Sequence, residues 1–171
     1  MAADIERGTV TISKNDDELR ELQVEQQSDE VRQDVEHMEP YGFSSEPYTD
    51  KKTDAITFYT DESHELGFVM CVADRRFRVK SLKTGEVVIY DDKKRHVYLK
   101  QDGIEIDGAD SPITVKTTDS VKVTAGKEVV VNAAQDITLS SSANININAS
   151  GNVNISAGGL VNINGSGVNI G

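Results

Sequence analysis

One pattern limits this chain more than any other: an eight-residue comb of aliphatic side chains through its C-terminal third. Every eighth residue from Ile113 is aliphatic: Ile113, Val121, Val129, Ile137, Ile145, Val153 and Val161. Two residues further on, Val115, Val123, Val131, Leu139, Ile147, Ile155 and Ile163 repeat the rule. Two further again, Thr117, Ala125, Ala133, Ser141, Ala149, Ala157 and Gly165 are all small. The phase then slips by one residue, to Val168 and Ile170. Aliphatic–polar–aliphatic is strand alternation, with branched residues on one face and Lys, Thr, Ser or Asn on the other. Small residues at Ala125-Gly126, Ala149-Ser150-Gly151 and Ala157-Gly158-Gly159 permit a corner. Each octad therefore predicts one short strand and one bend.

Eight residues extend at most about 27 Å, too little to circle a packed core and return one rung higher. A single-chain β-helix needs a longer coil. Three chains, each giving one side of a triangular prism, can close the structure. The spacing predicts an intertwined homotrimeric β-helix, a rod of roughly 40 Å with rungs about 4.8 Å apart. Closure also removes sheet edges that otherwise invite aggregation. The competing reading is a disordered Asn/Ser/Gly-rich tail, but disorder does not require an aliphatic comb. Asn144, Asn146, Asn148, Asn152, Asn154, Asn162, Asn164 and Asn169 crowd this segment. Stacked on the outer face, they can hydrogen-bond from rung to rung; a ligand- or sugar-binding surface is the alternative.

Charge divides the chain in the same place. The 171 residues carry a formal charge of −11, with 37% hydrophobic residues, 5% aromatics and no Trp. In residues 111–171, Lys116, Lys122 and Lys127 balance Asp119, Glu128 and Asp136, so the whole deficit lies in residues 1–110. No charged residue follows Asp136 and no aromatic follows Tyr98. So thin a core fits a chain whose burial is completed by other copies. The acidity argues against nucleic-acid binding, which needs a basic face. No run of about 18 apolar residues predicts a membrane-spanning helix, and MAADIERGTV does not read as a signal peptide. Cys71 stands alone, which excludes an intrachain disulfide and a cysteine-based zinc site. Between Val69, Met70 and Val72 it is expected to be a buried small hydrophobe.

Residues 8–110 read as short strands between turn signals: Gly8–Ser13, Leu19–Glu25, Asp29–Met38, Ala55–Tyr59, Gly67–Ala73, Arg76–Ser81, Glu86–Tyr90, His96–Lys100 and Gly103–Ile106. Their spacing predicts an all-β barrel followed by a meander. Asp29–Met38 has a short helix as its alternative. Tyr41-Gly42-Phe43-Ser44-Ser45 is expected to be a packed strand or tight loop at a subunit contact. Asp74-Arg75-Arg76 is expected to make intersubunit ion pairs rather than to read phosphates.

No catalytic constellation emerges. His37, His64 and His96 are scattered among charged neighbours. Asp61-Glu62-Ser63-His64-Glu65 contains an acid, a hydroxyl and an imidazole, yet triads are assembled from distant segments. It reads as a solvated hairpin turn. No P-loop, dinucleotide fingerprint or HExxH occurs, and the last octads offer no carboxylate pair for sugar hydrolysis. The expectation is a non-enzyme with no catalytic, cofactor-binding or metal-binding residues.

The stretches YGFSSEPY, GFVMCVADRRFRVKSLKTGEVVIYDD and HVYLKQDGIEIDG resemble the baseplate assembly protein V family. These are the central spikes of Mu-like contractile-tailed phages, related more distantly to the spike part of type VI secretion VgrG proteins. The resemblance runs from about Arg7 to Gly171, with YGFSS, ADRRFRVKSLKTGEV and GIEIDG its most distinctive pieces. It implies an OB-fold-like docking domain over residues 1–75, a connecting β-meander or neck over 76–110, and a triple-stranded β-helix spike over 111–171. It also implies a homotrimer at the tip of the virion tail baseplate, assembled in the host cytoplasm. There it would dock to the tail hub protein and pierce the bacterial outer membrane when the sheath contracts. Many Mu-like spikes bind a tip iron through a C-terminal His-x-His. Here Leu160–Gly171 holds no histidine, so that site is not expected; a separate tip protein, or closure on Val168 and Ile170, is expected instead. A trimeric fibre or adhesin, and the spike of a phage-derived injection system, are the alternative functions.

Overall fold

The computed structural model describes residues 4–16, 18–27, 30–61 and 63–169. Asp29, Glu62, Ile170 and Gly171, which figured in the readings above, lie outside the described residues. The chain divides into two compact units, Met1–Lys116 and Thr117–Gly171.

The first unit is all β. Strands β1 (Asp4–Lys14), β2 (Glu21–Gln26), β3 (Val31–His37), β4 (Asp54–Tyr59) and β5 (Gly67–Ala73) close a barrel in the order β1-β2-β3-β5-β4. All pairings are antiparallel except β3 with β5, where Glu36 faces Phe68 and His37 faces Val69. This is an OB-like barrel. Within Asp29–Met38, Val31–His37 therefore forms a strand and not the alternative helix.

Strict alternation in β2 and β4 turns Leu22, Val24 and Gln26, and Ala55, Thr57 and Tyr59, into the barrel. With Val10, Val35 and Val69 they leave room for small branched residues only. Gly8 is required by proximity: a Cβ there would stand 2.5 Å from the Glu25 carbonyl oxygen. The inner end is polar. Gln26, Thr57 and Tyr59 are all buried, and the Gln26 amide donates to the Tyr59 hydroxyl.

Three register shifts interrupt the barrel, and each turns a side chain to the other face. Between Val10 and Ile12 the shift leaves Ile12 outside. In β3 it falls between Arg32 and Val35, with Asp34 in left-handed backbone at φ 55°. In β5 it corrects the expectation for Cys71, which is exposed. Thr57 faces Val69 while Ile56 faces Cys71, so Met70 is the extra residue. Val69 and Val72 then share the inner face three positions apart, and Cys71 is turned out.

A three-stranded antiparallel sheet follows: β6 (Val87–Tyr90), β7 (His96–Lys100) and β8 (Gly103–Asp107). The strand expected over Arg76–Ser81 does not form. Residues 78–83 pair with neither the closed barrel nor the sheet β6-β7-β8, and Ser81 stands in left-handed backbone at φ 62°. Their alternation is real nonetheless, since Phe77 and Val79 are half-buried while Arg78 and Lys80 are exposed.

The second unit contains neither helix nor strand among its described residues. Bends recur at 118–119, 126–127, 134–135, 142–143, 150–151, 158–159 and 166, an interval of eight residues throughout. Those at 126–127, 150–151 and 158–159 fall at the expected small-residue corners. The Thr117 hydroxyl accepts from the Asp119 amide, and the Ser141 hydroxyl from that of Ala143. Between bends the backbone is extended, and no described residue of this unit makes a backbone–backbone hydrogen bond.

Candidate functional site

What this chain offers to its surroundings is unsatisfied surface, and the repeat offers most. Extended backbone displays an amide and a carbonyl at every residue, and unpaired groups of this kind are a template for another chain. The aliphatic combs are open too: all fourteen side chains keep at least half of their surface exposed. Regularly spaced bends, unpaired backbone and open aliphatic rows thus coincide.

The β6–β8 sheet carries a second open face. Register places Val87, Leu99 and Ile104 in one row across the strands and Ile89, Val97 and Ile106 in the next. All six are exposed. An array of six contiguous aliphatics on one sheet face is an interaction surface rather than ordinary scatter. The opposite face is polar and faces Arg76, Phe77 and Val79 across a groove of about 610 Å³.

The barrel displays its own apolar surface. Ile5, Phe58 and Phe68 line up across β1, β4 and β5, with the two rings 5.3 Å apart. The loop after β3 holds Tyr41 fully exposed and Phe43 largely so, with Gly42 at φ 85° supplying the turn. Beneath them the loop is braced. Arg20 pairs with Glu39 at 2.9 Å and Glu46 at 3.3 Å, and Glu39 accepts from the Ser44 hydroxyl and the Ser45 amide. Burial works to raise the Glu39 pKa, but these donors and Arg20 together hold it below the usual carboxylate range. This is a tight loop, as expected. The brace was missed in the sequence because Arg20 and Glu39 lie nineteen positions apart, one before β2 and the other after β3.

The arginines of Asp74-Arg75-Arg76 correct another expectation, since their partners lie within the chain. Arg75 binds Asp54; Arg76 binds Asp50 and Asp74. Arg76 also lies 5.2 Å from the Tyr48 ring centre and 5.1 Å from that of Phe77. Its hydrogen bond draws the Asp74 carboxyl down to about 2. The cluster pins the chain leaving β5 back onto the loop before β4.

The three histidines occupy three separate environments. His37 is buried at the end of β3, and burial lowers its pKa. His96 donates from Nδ1 to the Lys94 carbonyl, with Nε2 3.1 Å from Glu105, and both contacts raise its pKa. His64 lies in the β4–β5 hairpin, as expected of that segment, but it is not simply solvated. Its ring stacks on Tyr59 at 4.3 Å, and Nε2 lies 3.1 Å from Asp4. Of the acid–hydroxyl–imidazole run, Ser63 donates to Asp61, and no contact joins either to His64 among the described residues.

Residues 7–76, which span the barrel, match the family model described as Bacteriophage Mu Gp45, N-terminal. No curated protein matches the chain. The matched stretch is the closed barrel with its braced loop and arginine cluster, the same region that carries YGFSS and the start of ADRRFRVKSLKTGEV. The match is confined to this N-terminal region, where residues 7–76 are similar to the Mu Gp45 N-terminal family, and it supports the resemblance to Mu-like phage baseplate proteins there.

Proposed function

We propose that this protein is the non-enzymatic central spike of a contractile-tail baseplate. In this reading three copies assemble. The barrels dock to the tail hub, the residues from 111 onward wind into a three-chain β-helix, and contraction of the sheath drives that rod through a bacterial outer membrane.

The observation that carries the proposal is the repeat. Its bends keep an eight-residue interval, its described residues from 117 onward make no backbone–backbone hydrogen bonds, and its aliphatic combs stay at least half exposed. A segment with this geometry becomes stable when neighbouring chains supply the missing ladder and cover the aliphatic face. The aliphatic face of β6–β8 would be covered in the same assembly. Charge supports the mechanical role. The three Asp/Glu/Lys-bearing octads come first, and from residue 137 the shaft has no charge to desolvate.

Electron cryomicroscopy of tail particles carrying this protein tests the proposal. A threefold rod of roughly 40 Å on the tail axis, below the hub, is expected. Density for the chain on peripheral fibres would overturn the spike and favour a trimeric adhesin.

A further inference from the structure

At one mouth of the barrel, two carboxylates collect with no lysine or arginine to match them. Asp4 and Glu6 lie two apart on β1 and share its inward face, since they pair in register with Tyr59 and Thr57. Neither is paired with a lysine or arginine among the described residues. The one basic side chain within ion-pair distance is His64, with Nε2 3.1 Å from Asp4 Oδ2 and Nδ1 4.0 Å from Glu6 Oε1. Arg32, over the Tyr59 ring at 5.9 Å, pairs with Glu30. Below the carboxylates two buried acceptor oxygens, Glu6 Oε2 and Gln26 Oε1, have no hydrogen-bond partner among the described residues. Gln26 is 3% exposed. Buried acceptors without donors are rare in folded proteins and commonly mark a missing ion or water.

The ring geometry favours an ion. Tyr59, itself buried, holds the imidazole by stacking at 4.3 Å and 14°, so His64 is presented edge-on to the carboxylates. The 3.1 Å between His64 and Asp4 is a hydrogen bond as it stands, and it also lies within the reach of two ligands each about 2.1 Å from one ion. One ligand atom from each of Asp4, Glu6 and His64 lies within 4.8 Å of the others. We propose that Asp4, Glu6 and His64 bind a divalent cation of the zinc class, tying the start of β1 to the β4–β5 hairpin. One imidazole with two carboxylates suits such an ion better than magnesium or calcium, which prefer all-oxygen shells. The proposal stands independently of how many copies assemble.

Chelator-treated full-length protein titrated with zinc chloride in a calorimeter tests it, with magnesium chloride as the control. One zinc per chain is expected, with no magnesium heat. H64A and E6Q should each weaken binding by about tenfold or more while circular dichroism shows the barrel intact. No zinc binding would overturn the site. So would stoichiometric binding that persists in both variants, or that is lost on H96A instead, which would move the ion to His96, Glu105 and Asp107.

Discussion

Replacing Ile147 by Asp puts the assembly of the repeat under direct load. In a single chain Ile147 keeps 66% of its surface open. Full burial of such a side chain is worth about 1.5–3 kcal/mol, so covering what remains is worth about 1–2 kcal/mol per chain. The variant forfeits that three times over. It also places three carboxylates on one face without partners, each costing several kcal/mol if desolvated. The loss is on the order of 10 kcal/mol per trimer, comparable to the whole stability of an ordinary domain. Thermal unfolding followed by circular dichroism, beside sedimentation velocity, reads the effect. The repeat should melt separately or fail to form, while the barrel transition stays. Asn146→Asp, one residue earlier on the polar face, is the control and should change stability by less than about 1 kcal/mol. An unaffected Ile147→Asp assembly, or equal damage from the two variants, would refute the inward assignment of the comb.

The barrel allows three further tests. Gly8→Ala should cost about 1–3 kcal/mol in urea unfolding, because its Cβ would meet the Glu25 carbonyl at 2.5 Å; Gly103→Ala, with nothing within 4 Å, should be near neutral. Burial holds His37 below its ordinary 6.5, so the unfolded chain takes up more protons as the solution acidifies. Stability is then full above pH 6.5 and declines below it, and His37→Asn should flatten that decline in urea midpoints measured from pH 8 to 5. Asp74, drawn down to about 2 by Arg76, contributes stability that is present above pH 3.8 and lost as the pH falls toward 2. Asp74→Asn should remove this acid-dependent share, and an unchanged acid transition would count against the pair.

The sequence was most informative where a period was long and unbroken. Seven octads with the same aliphatic positions fixed where the bends would fall, and the bends at 126–127, 150–151 and 158–159 sit on the small residues that marked them. Strands bounded by turn signals were also legible: Gly67–Ala73 and His96–Lys100 have the expected limits. What failed was the inference from alternation to facing. A single extra residue at Met70 inverts the phase of β5, so Cys71 is outside although its flanks are apolar. Arg76–Ser81 alternates like a strand but pairs with neither the barrel nor the β6–β8 sheet, because strand pairing is a property of the whole topology. Arg75 and Arg76 looked free for other chains because Asp50 and Asp54 lie more than twenty residues away along the sequence. The polar barrel mouth was hidden in the same way, since Asp4, Glu6 and His64 meet only when β1 pairs with β4.

The central claim is that the repeat is completed by other copies of the chain. Light scattering of the purified full-length protein tests it most directly. A particle of about 56 kDa, three times the 18.7 kDa chain, is predicted. A folded monomer of 18.7 kDa would contradict it.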